Sequence, residues 1–404
     1  MREDVRAPKQ PLDRTARVTV LLLFAAWTVD YVDRLLVNLA LPQIGADFGI
    51  DHTEQGLVLS AFFLAYALFQ IPGGLLADRF GAVRVMLVAV LAWSAFTALT
   101  GLAGLVGSFA LLLVVRFLFG AAQGVFPGAS IKALSERTEP GQRMTANGWM
   151  QSSNAFGVLL APAIAAPLIA WWGWRGAFAA IAVLGVFVFL ALRKWLPAPR
   201  TVAERQPGGG RAVLLSPVMW RFALMFFGYD VIVWGLASWV PSYLQSERGL
   251  TLTEAGAITA LPAIFGGVAV VLGGRWSDRL GGRHRVVVLP AMAATAVCLV
   301  VMSHSEPTAL FAVFLTLTGF FAALCYMPIF AVPLRSLPAG LAGAGAGLIV
   351  FGGQSAGMVV PVVMGALVDG FSYRVAFLAL LSGVVLTVLA ALVTPQTTEQ
   401  FRLR

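Results

Sequence analysis

The chain has 404 residues, of which 59% are hydrophobic and only 12% are charged, and its net charge is +9. A soluble domain needs about 25% charged residues to cover its surface. The composition therefore excludes an ordinary soluble domain and indicates a protein whose surface mostly faces lipid.

Apolar segments long enough to cross a bilayer recur along the whole chain. A helix of about 20 residues spans the hydrocarbon core, and it satisfies its own backbone hydrogen bonds there. Twelve segments meet this length, and we number them spans 1 to 12: residues 17–41, 54–77, 82–104, 107–131, 143–170, 174–196, 217–244, 254–276, 285–304, 308–334, 341–368 and 374–394. The sequence predicts an all-α membrane protein with twelve transmembrane helices.

The basic residues are distributed unequally on the two sides of these spans. Of the 28 Lys and Arg residues, 23 fall in tails and loops on one side, and only Arg175, Arg248 and Arg374 fall on the other. The positive-inside rule then predicts that both termini and the central loop are cytoplasmic. The positive net charge therefore reflects the orientation of the spans in the membrane, and we expect no nucleic acid partner.

One long polar stretch separates span 6 from span 7. It includes Pro197, Pro199, Pro207 and the glycines at 208–210, a composition that is typical of a flexible linker. We therefore predict a cytoplasmic N-tail (1–16), an N-terminal six-helix bundle (17–196), a cytoplasmic linker (197–216), a C-terminal six-helix bundle (217–394) and a cytoplasmic C-tail (395–404).

The two halves repeat short motifs about 200 residues apart. Gly-Leu-Leu-Ala-Asp-Arg-Phe-Gly at 74–81 recurs as Gly-Arg-Trp-Ser-Asp-Arg-Leu-Gly at 274–281, and Trp-Arg-Gly-Ala-Phe at 174–178 recurs as Tyr-Arg-Val-Ala-Phe at 373–377. Matches at one offset predict an internal duplication and two pseudo-symmetric bundles. Parallel repeats of this kind are a known transporter plan, with the substrate site near the midplane.

The repeated loop element, Gly-x-x-x-Asp-Arg-x-Gly, resembles the signature loop of the major facilitator superfamily. A carboxylate near a helix end can pair with basic residues and with a helix N-terminus. We therefore predict a conformational latch formed by Asp78 and Arg79 in one loop and by Asp278 and Arg279 in the other. The alternative is a pair of solvated turns.

Further motifs resemble one family within that superfamily. They are Tyr-Val-Asp-Arg at 31–34, Gln-Ile-Pro-Gly-Gly at 70–74, Arg-Phe-Leu-x-Gly at 116–120 and Trp-Val-Pro-Ser-Tyr-Leu at 239–244. Together they are similar to the anion:cation symporter family, which includes bacterial sugar-acid importers and lysosomal organic-anion carriers. The resemblance implies that Arg34 binds the substrate carboxylate, that Tyr31 and Tyr66 donate hydroxyls nearby, and that Asp33 is a proton-linked carboxylate.

Two arginines, Arg34 and Arg116, lie deep inside predicted spans. A charge at mid-helix costs about 2.5–3.5 kcal/mol on insertion scales, so it persists only where it is paired or used. A guanidinium offers a forked site for a carboxylate, which predicts an anionic substrate. The alternative is that Arg34 only neutralises Asp33 or Asp30, and that Arg116 fixes helix packing.

At one position the sequence departs from the family pattern. Sugar-acid symporters of this family commonly place a proton-coupling glutamate seven residues after the span 4 arginine, where this chain has Gln123. Glutamine keeps the hydrogen-bonding shape, so Gln123 stays a candidate substrate ligand, but it does not titrate. Asp230 in span 7 is a candidate substitute proton site; it could equally cap or pair with a polar group of the second half.

Other polar residues inside spans are weaker candidates for cavity ligands, namely Asn154, Gln354 and Ser355. Hydrogen bonding between helices explains them about as well. The sequence contains no metal-ligand cluster, nucleotide loop or catalytic constellation, so we expect no cofactor and no enzymatic activity.

We predict a monomeric secondary transporter of the plasma membrane that imports a small organic anion, a carboxylate, by proton symport. There are two alternatives. One is a drug or metabolite exporter of the same fold that works as a proton antiporter, and the other is a non-transporting membrane receptor. Two deep arginines suit cationic drugs poorly, and short tails leave little room for a signalling output.

Overall fold

A computed structural model describes residues 11–139, 142–200, 210–337 and 339–403. These residues form helices and no strand. The helices α1 to α14 span Arg14–Phe48, His52–Phe80, Ala82–Val106, Phe109–Ser135, Arg143–Trp195, Gly210–Leu214, Pro217–Ser246, Leu252–Arg279, Arg285–His304, Thr308–Ala323, Tyr326–Ser336, Ala339–Gly370, Tyr373–Ala379 and Leu381–Val393. Most of the predicted N-tail (1–16) and part of the predicted linker (197–216) lie outside the described residues.

The described helices account for the twelve predicted spans. Ten helical segments are long and apolar enough to cross a membrane, and the longest of them, Thr145–Trp195, has 51 residues. Its backbone breaks at Gly173, with φ 66° and ψ 174°, a conformation that glycine adopts without a steric penalty. The break yields spans 5 and 6, and α1, with 35 residues, supplies span 1. The predicted all-α, twelve-helix membrane fold is confirmed.

Several helix ends follow directly from the local sequence. Gly107 ends α3 in the left-handed conformation (φ 68°), and the Ser108 side chain then caps α4 by accepting a hydrogen bond from Leu111 N. Thr251 and Glu254 form a capping box at the start of α8. Short turns of this kind connect successive membrane-crossing helices.

The helices group into two compact units. The first unit joins the chain up to Leu36 with the segment that begins at Ala65 and runs through α5; in it, α3 packs on α4 and α5. The second unit joins Val37–Leu64 with the described residues from 210 onward; in it, α7 packs on α12 and α14, and α10 packs on α8 and α9. The division of the chain into an N-tail, two six-helix bundles, a linker and a C-tail, which was based on the position of the linker, remains a prediction.

The start of α2, in the second unit, is capped twice. Asp51 Oδ1 accepts a hydrogen bond from Glu54 N at 2.8 Å, and Asp51 N donates to Glu54 Oε2 at 3.1 Å. Asp369, at the end of α12, accepts hydrogen bonds from His52 N at 3.1 Å and from Thr53 N at 2.7 Å. These first amides of a helix have no partner within the helix, so Asp369 completes the cap of α2 from a distant part of the chain.

Candidate functional site

The polar face of α1 is buried inside the first unit. Asp30, Asp33 and Arg34 are 0%, 1% and 2% exposed. Residues three and four apart lie on the same side of a helix, so Asp30 shares a face with both Asp33 and Arg34. This face supplies the charged groups of the candidate site.

The Arg34 guanidinium lies between a carboxylate, an amide and two aromatic rings. Its Nη2 donates to Asp30 Oδ2 at 2.9 Å, and its Nε donates to Gln123 Oε1 at 3.4 Å. Its Cζ lies 4.7 Å from the centre of the Tyr31 ring and 4.4 Å from that of Tyr66, distances typical of cation–π contacts. The structure thus brings together four of the predicted substrate ligands, and it gives Arg34 the ionic partner Asp30.

Two glycines bring the helices of this site close together. A Cβ atom on Gly124 would lie 2.5 Å from the Tyr66 carbonyl oxygen, and a Cβ atom on Gly157 would lie 2.4 Å from Tyr31 Cβ. A larger residue at either position would push α4 away from α2, or α5 away from α1. The spacing around Arg34 therefore depends on both glycines.

Gln123 is fully buried and both ends of its amide face α1. While Oε1 accepts from Arg34, Nε2 donates to the main-chain oxygen of Asp30 at 3.2 Å. The glutamine therefore ties α4 to the Asp30–Arg34 pair without adding a charge.

Asp33 and Arg116 form a second buried polar group beside the first. Thr97 Oγ1 on α3 lies 2.6 Å from Asp33 Oδ2 and 2.9 Å from the Trp93 carbonyl oxygen. Arg116, which is 1% exposed, interacts electrostatically with Asp33, and its Cζ lies 4.6 Å from the centre of the Phe119 ring. Asp33 is thus linked to α3 through Thr97 and to α4 through Arg116.

Asn154 lies on α5 three residues before Gly157, and so on the helix face that packs against Tyr31. Its Oδ1 is buried and has no hydrogen-bond partner among the described residues. A buried acceptor without a partner is costly, which is consistent with a group that bonds a ligand.

The second unit contains Asp230, on α7, which is 6% exposed. No hydrogen bond or ion pair joins its carboxyl group to any residue in the described part of the chain. A Cβ atom on Gly353 would lie 2.1 Å from its Oδ2. Phe226 and Tyr229 stack at 5.3 Å, and the Tyr326 ring lies 6.0 Å from that of Tyr229, so Asp230 belongs to an aromatic region.

Gln354 and Ser355, on α12, also lie in the second unit. Gln354 Oε1 is buried without a hydrogen-bond partner among the described residues. The Ser355 hydroxyl donates to the Phe351 carbonyl oxygen at 2.8 Å, one turn back along the helix. Of the two, Gln354 has the free acceptor that a ligand would use.

Both signature loops show the same contact inside their own unit. Asp78 Oδ1 lies 2.7 Å from Lys132 Nζ at the end of α4, and Asp278 Oδ1 lies 2.6 Å from Arg335 Nη2 at the end of α11. The aspartate of each loop is therefore paired with a basic residue of a neighbouring helix. Arg79 and Arg279, which follow these aspartates, are exposed.

Sequence reasoning missed several residues of these sites. Thr97 carries no motif that marks it, and Gly124 and Gly157 are two among 42 glycines. Their positions directly after Gln123 and three residues after Asn154 were the available signals. Within the described residues, no group of three or more His, Cys, Asp or Glu side chains forms a potential metal site.

Comparison with known proteins gives matches along most of the chain. The family model described as Major Facilitator Superfamily matches residues 22–361. The hexuronate transporter of Bacillus subtilis is 28% identical over 371 residues, covering 87% of each chain. A probable sulfoacetate transporter of Cupriavidus necator is 30% identical over 383 residues, covering 88% of each chain.

Solved structures show the same fold. The chain is similar to a bacterial homologue of the human lysosomal transporter Spinster, in an inward-facing, unoccupied conformation, with a TM-score of 0.79, 18% identity and coverage of 95% and 96%. It is equally similar to a D-xylose–proton symporter, with a TM-score of 0.79, 14% identity and coverage of 96% and 100%.

Proposed function

Since the chain belongs to the major facilitator superfamily, among transporters of sugar acids and organic anions, we propose that it imports a small organic carboxylate together with protons. It is a multi-pass membrane transporter and not an enzyme. The substrate class, the direction of transport and the proton coupling are the proposed parts.

The observation that carries the proposal is the setting of Arg34. Its guanidinium is buried in a membrane-spanning helix, and aromatic rings lie 4.4 and 4.7 Å from its Cζ. A planar fork of N–H donors in a medium of low dielectric binds a carboxylate through two parallel hydrogen bonds. Hexuronate and sulfoacetate, which relatives are named for transporting, share a carboxylate group.

We assign the remaining roles by chemistry. Tyr31 and Tyr66 offer phenol hydroxyls beside Arg34, and Gln123 and Asn154 offer amides to the polar groups of the substrate. Arg116 adds positive charge near Asp33. The predicted roles of Gln354 and Ser355, which lie in the second unit, stay predictions.

Proton coupling requires a carboxyl group that titrates during the cycle, and Asp33 and Asp230 are the candidates. The Thr97 hydroxyl has one hydrogen but lies within bonding distance of both Asp33 and the Trp93 carbonyl. An ionised Asp33 accepts that hydrogen, and a protonated Asp33 donates its own hydrogen and leaves that of Thr97 for the Trp93 carbonyl. The contact with Thr97 therefore suits both protonation states of Asp33. Among the described residues, Asp230 has no ionic partner that would hold it charged.

The distribution of basic residues supports the remaining parts of the proposal. It favours an orientation with both termini in the cytoplasm, and we propose that the membrane is the plasma membrane. Protons then enter the cell down their gradient, and symport with them drives import. We propose that the monomer carries out this cycle.

The test is uptake by purified protein in proteoliposomes with an imposed proton gradient. D-Glucuronate, galactarate and sulfoacetate serve as substrates, and Arg34→Gln is compared with Arg84→Gln, a change at an exposed arginine. We expect at least a tenfold loss of uptake in Arg34→Gln, no loss in Arg84→Gln, and faster uptake when the outside is more acidic. Size-exclusion chromatography and circular dichroism show whether each variant is folded.

Two results would reject the proposal. One is carboxylate uptake that is unchanged in a folded Arg34→Gln protein. The other is binding of lipophilic cations, in place of carboxylates, that survives this substitution.

A further inference from the structure

Asp30 is a buried carboxylate to which the proposed function gives no role. Its Oδ2 accepts a hydrogen bond from Arg34 Nη2 at 2.9 Å, and its side chain is 1% exposed. Its Oδ1 is also buried and has no hydrogen-bond partner among the described residues. Asp30 therefore bonds the guanidinium in the way a substrate carboxylate would.

A bound substrate would place a second carboxylate beside the first. The Asp30–Arg34 pair is neutral, so an added anion leaves an excess negative charge in a region of low dielectric. Two carboxylates that share one site do not both remain ionised. Binding of the substrate to Arg34 thus requires that one negative charge be removed.

We propose that Asp30 is an exchangeable counter-ion of Arg34. The substrate carboxylate replaces it on the guanidinium, and the released Asp30 carboxylate takes up one proton from solution. The net charge of the site is then unchanged. When the substrate leaves, Asp30 loses the proton and pairs with Arg34 again, so one proton accompanies each carboxylate.

The groups around Asp30 single it out for this exchange. On its own helix it faces Arg34 and lies one turn from Asp33. From α4, the uncharged Gln123 amide donates to its main-chain oxygen, and Arg116 interacts with Asp33.

Among the described residues of the first unit, the other helices bring no further charge to this exchange. From α2, the Tyr66 ring lies on Arg34; from α3, Thr97 bonds Asp33; and from α5, Gly157 packs on Tyr31. Asp33 is held by Thr97, and Gln123 does not titrate. Asp30 is therefore the carboxylate whose ion pair the substrate replaces.

The inference rests on the proposed function, and isothermal titration calorimetry tests it. Anion binding at pH 8 is measured in two buffers of different ionisation enthalpy, with D-glucuronate, galactarate and sulfoacetate as probes. The difference in heat reports the number of protons taken up per bound anion. The proteins are the wild type, Asp30→Asn, Asp33→Asn and, as a matched control, Asp47→Asn at an exposed carboxylate of the same helix.

We expect about one proton per bound D-glucuronate, the one probe with a single negative charge, in the wild type and in Asp47→Asn, and none in Asp30→Asn, because linkage follows the group that titrates. Asp30→Asn also binds the anion at least tenfold more tightly at pH 8, since the carboxylate that bonds Arg34 Nη2 has been removed. Asp30→Glu keeps a carboxyl group and so keeps the proton uptake.

Proton uptake that is unchanged in Asp30→Asn overturns the inference, as does uptake that is lost in Asp33→Asn. Asp30→Asn could fail to fold. In that case, proton uptake that is retained in both Asp30→Glu and Asp33→Asn supports the role of Asp30, and proton uptake that is lost in Asp33→Asn rejects that role. If the wild type binds none of the carboxylates, the proposed function fails. If binding requires Arg34 but takes up no proton, only the present inference fails.

Discussion

A single arginine in a membrane helix needs several neighbours to be stable there. Arg34 has an ion pair with Asp30 and cation–π contacts with Tyr31 and Tyr66. A desolvated cation–π contact contributes up to about 2 kcal/mol, which together with the ion pair offsets an insertion cost of about 2.5–3.5 kcal/mol. The same neighbours hold the guanidinium in one orientation, so its donors are aligned before a substrate arrives.

Replacing Gln123 with glutamate should make anion binding more dependent on pH. The new carboxylate would lie near Arg34 Nε, which is 3.4 Å from Gln123 Oε1, and would compete with the substrate whenever it is ionised. We expect the Gln123→Glu affinity for a carboxylate to fall at least tenfold more than that of the wild type between pH 5.5 and pH 8, measured by calorimetry. Gln123→Met, similar in size and uncharged, is the matched control; equal pH dependence in all three proteins would contradict the prediction.

At the scale of single helices, the start of α9 contains a buried titratable group. His284 is 0% exposed, its ring lies 5.9 Å from that of Phe222, and its Nε2 lies 3.3 Å from the Ala391 carbonyl oxygen. Burial lowers the pKa of His284 to about 4. The uncharged imidazole therefore packs the start of α9 against the end of α14.

Acid should destabilise the protein through this histidine. The folded-state pKa is below the ordinary value of about 6.5, so the stabilising contribution of neutral His284 is complete above pH 6.5 and is lost as the pH falls toward 4. Linkage limits this loss to about 3 kcal/mol. We expect the apparent melting temperature of His284→Gln in detergent to fall less between pH 7.5 and pH 5 than that of the wild type.

His304→Gln, at an exposed histidine, is the control for this prediction and should behave as the wild type. An equal decline of the melting temperature in His284→Gln and in the wild type would show that other groups cause the acid sensitivity.

At the scale of the whole molecule, the two halves preserve one contact with different residues. Lysine at 132 pairs with Asp78, and arginine at 335 pairs with Asp278. Such exposed pairs contribute only about 0–1 kcal/mol each, which is too little to hold the fold. A contribution of about 1 kcal/mol is enough to shift an equilibrium between two conformations about fivefold, provided that the ion pair forms in only one of the two conformations.

Reversal of one latch charge should impair transport more than binding. Asp78→Lys places a second cation beside Lys132, and we expect uptake in proteoliposomes to fall severalfold while carboxylate affinity changes less than twofold. Adding Lys132→Asp restores an opposite-charge pair and should recover much of the rate. Failure of the double variant to recover any rate, in a protein that is folded, would reject the latch.

Much of the architecture could be predicted from the sequence, because apolar length and a repeat offset near 200 residues are visible without knowledge of contacts. The ionic partner of Arg34 could not be predicted from the sequence. Asp30 and Asp33 both lie close enough along α1, and the choice between them depends on Gln123 and Thr97, which reach α1 from other helices. A sequence does not state which side chains meet across helices.

The close packing of helices could not be predicted from the sequence either. Gly124 and Gly157 matter because of the atoms that face them, Tyr66 and Tyr31, and the sequence does not show which residues face a glycine. Gln123 was recognised because it departs from a family motif. Motifs thus predicted the candidate site, and only the structure shows which residues pack around it.

The cap that Asp369 provides for α2 also has a consequence for the history of the gene. The carboxylate serves amides at positions 52 and 53, more than three hundred residues earlier, so one change of the codon for residue 369 alters how α2 begins. An alignment of related sequences should therefore show covariation among these three columns. Lineages that have lost the acid at 369 should carry a compensating change at the start of α2.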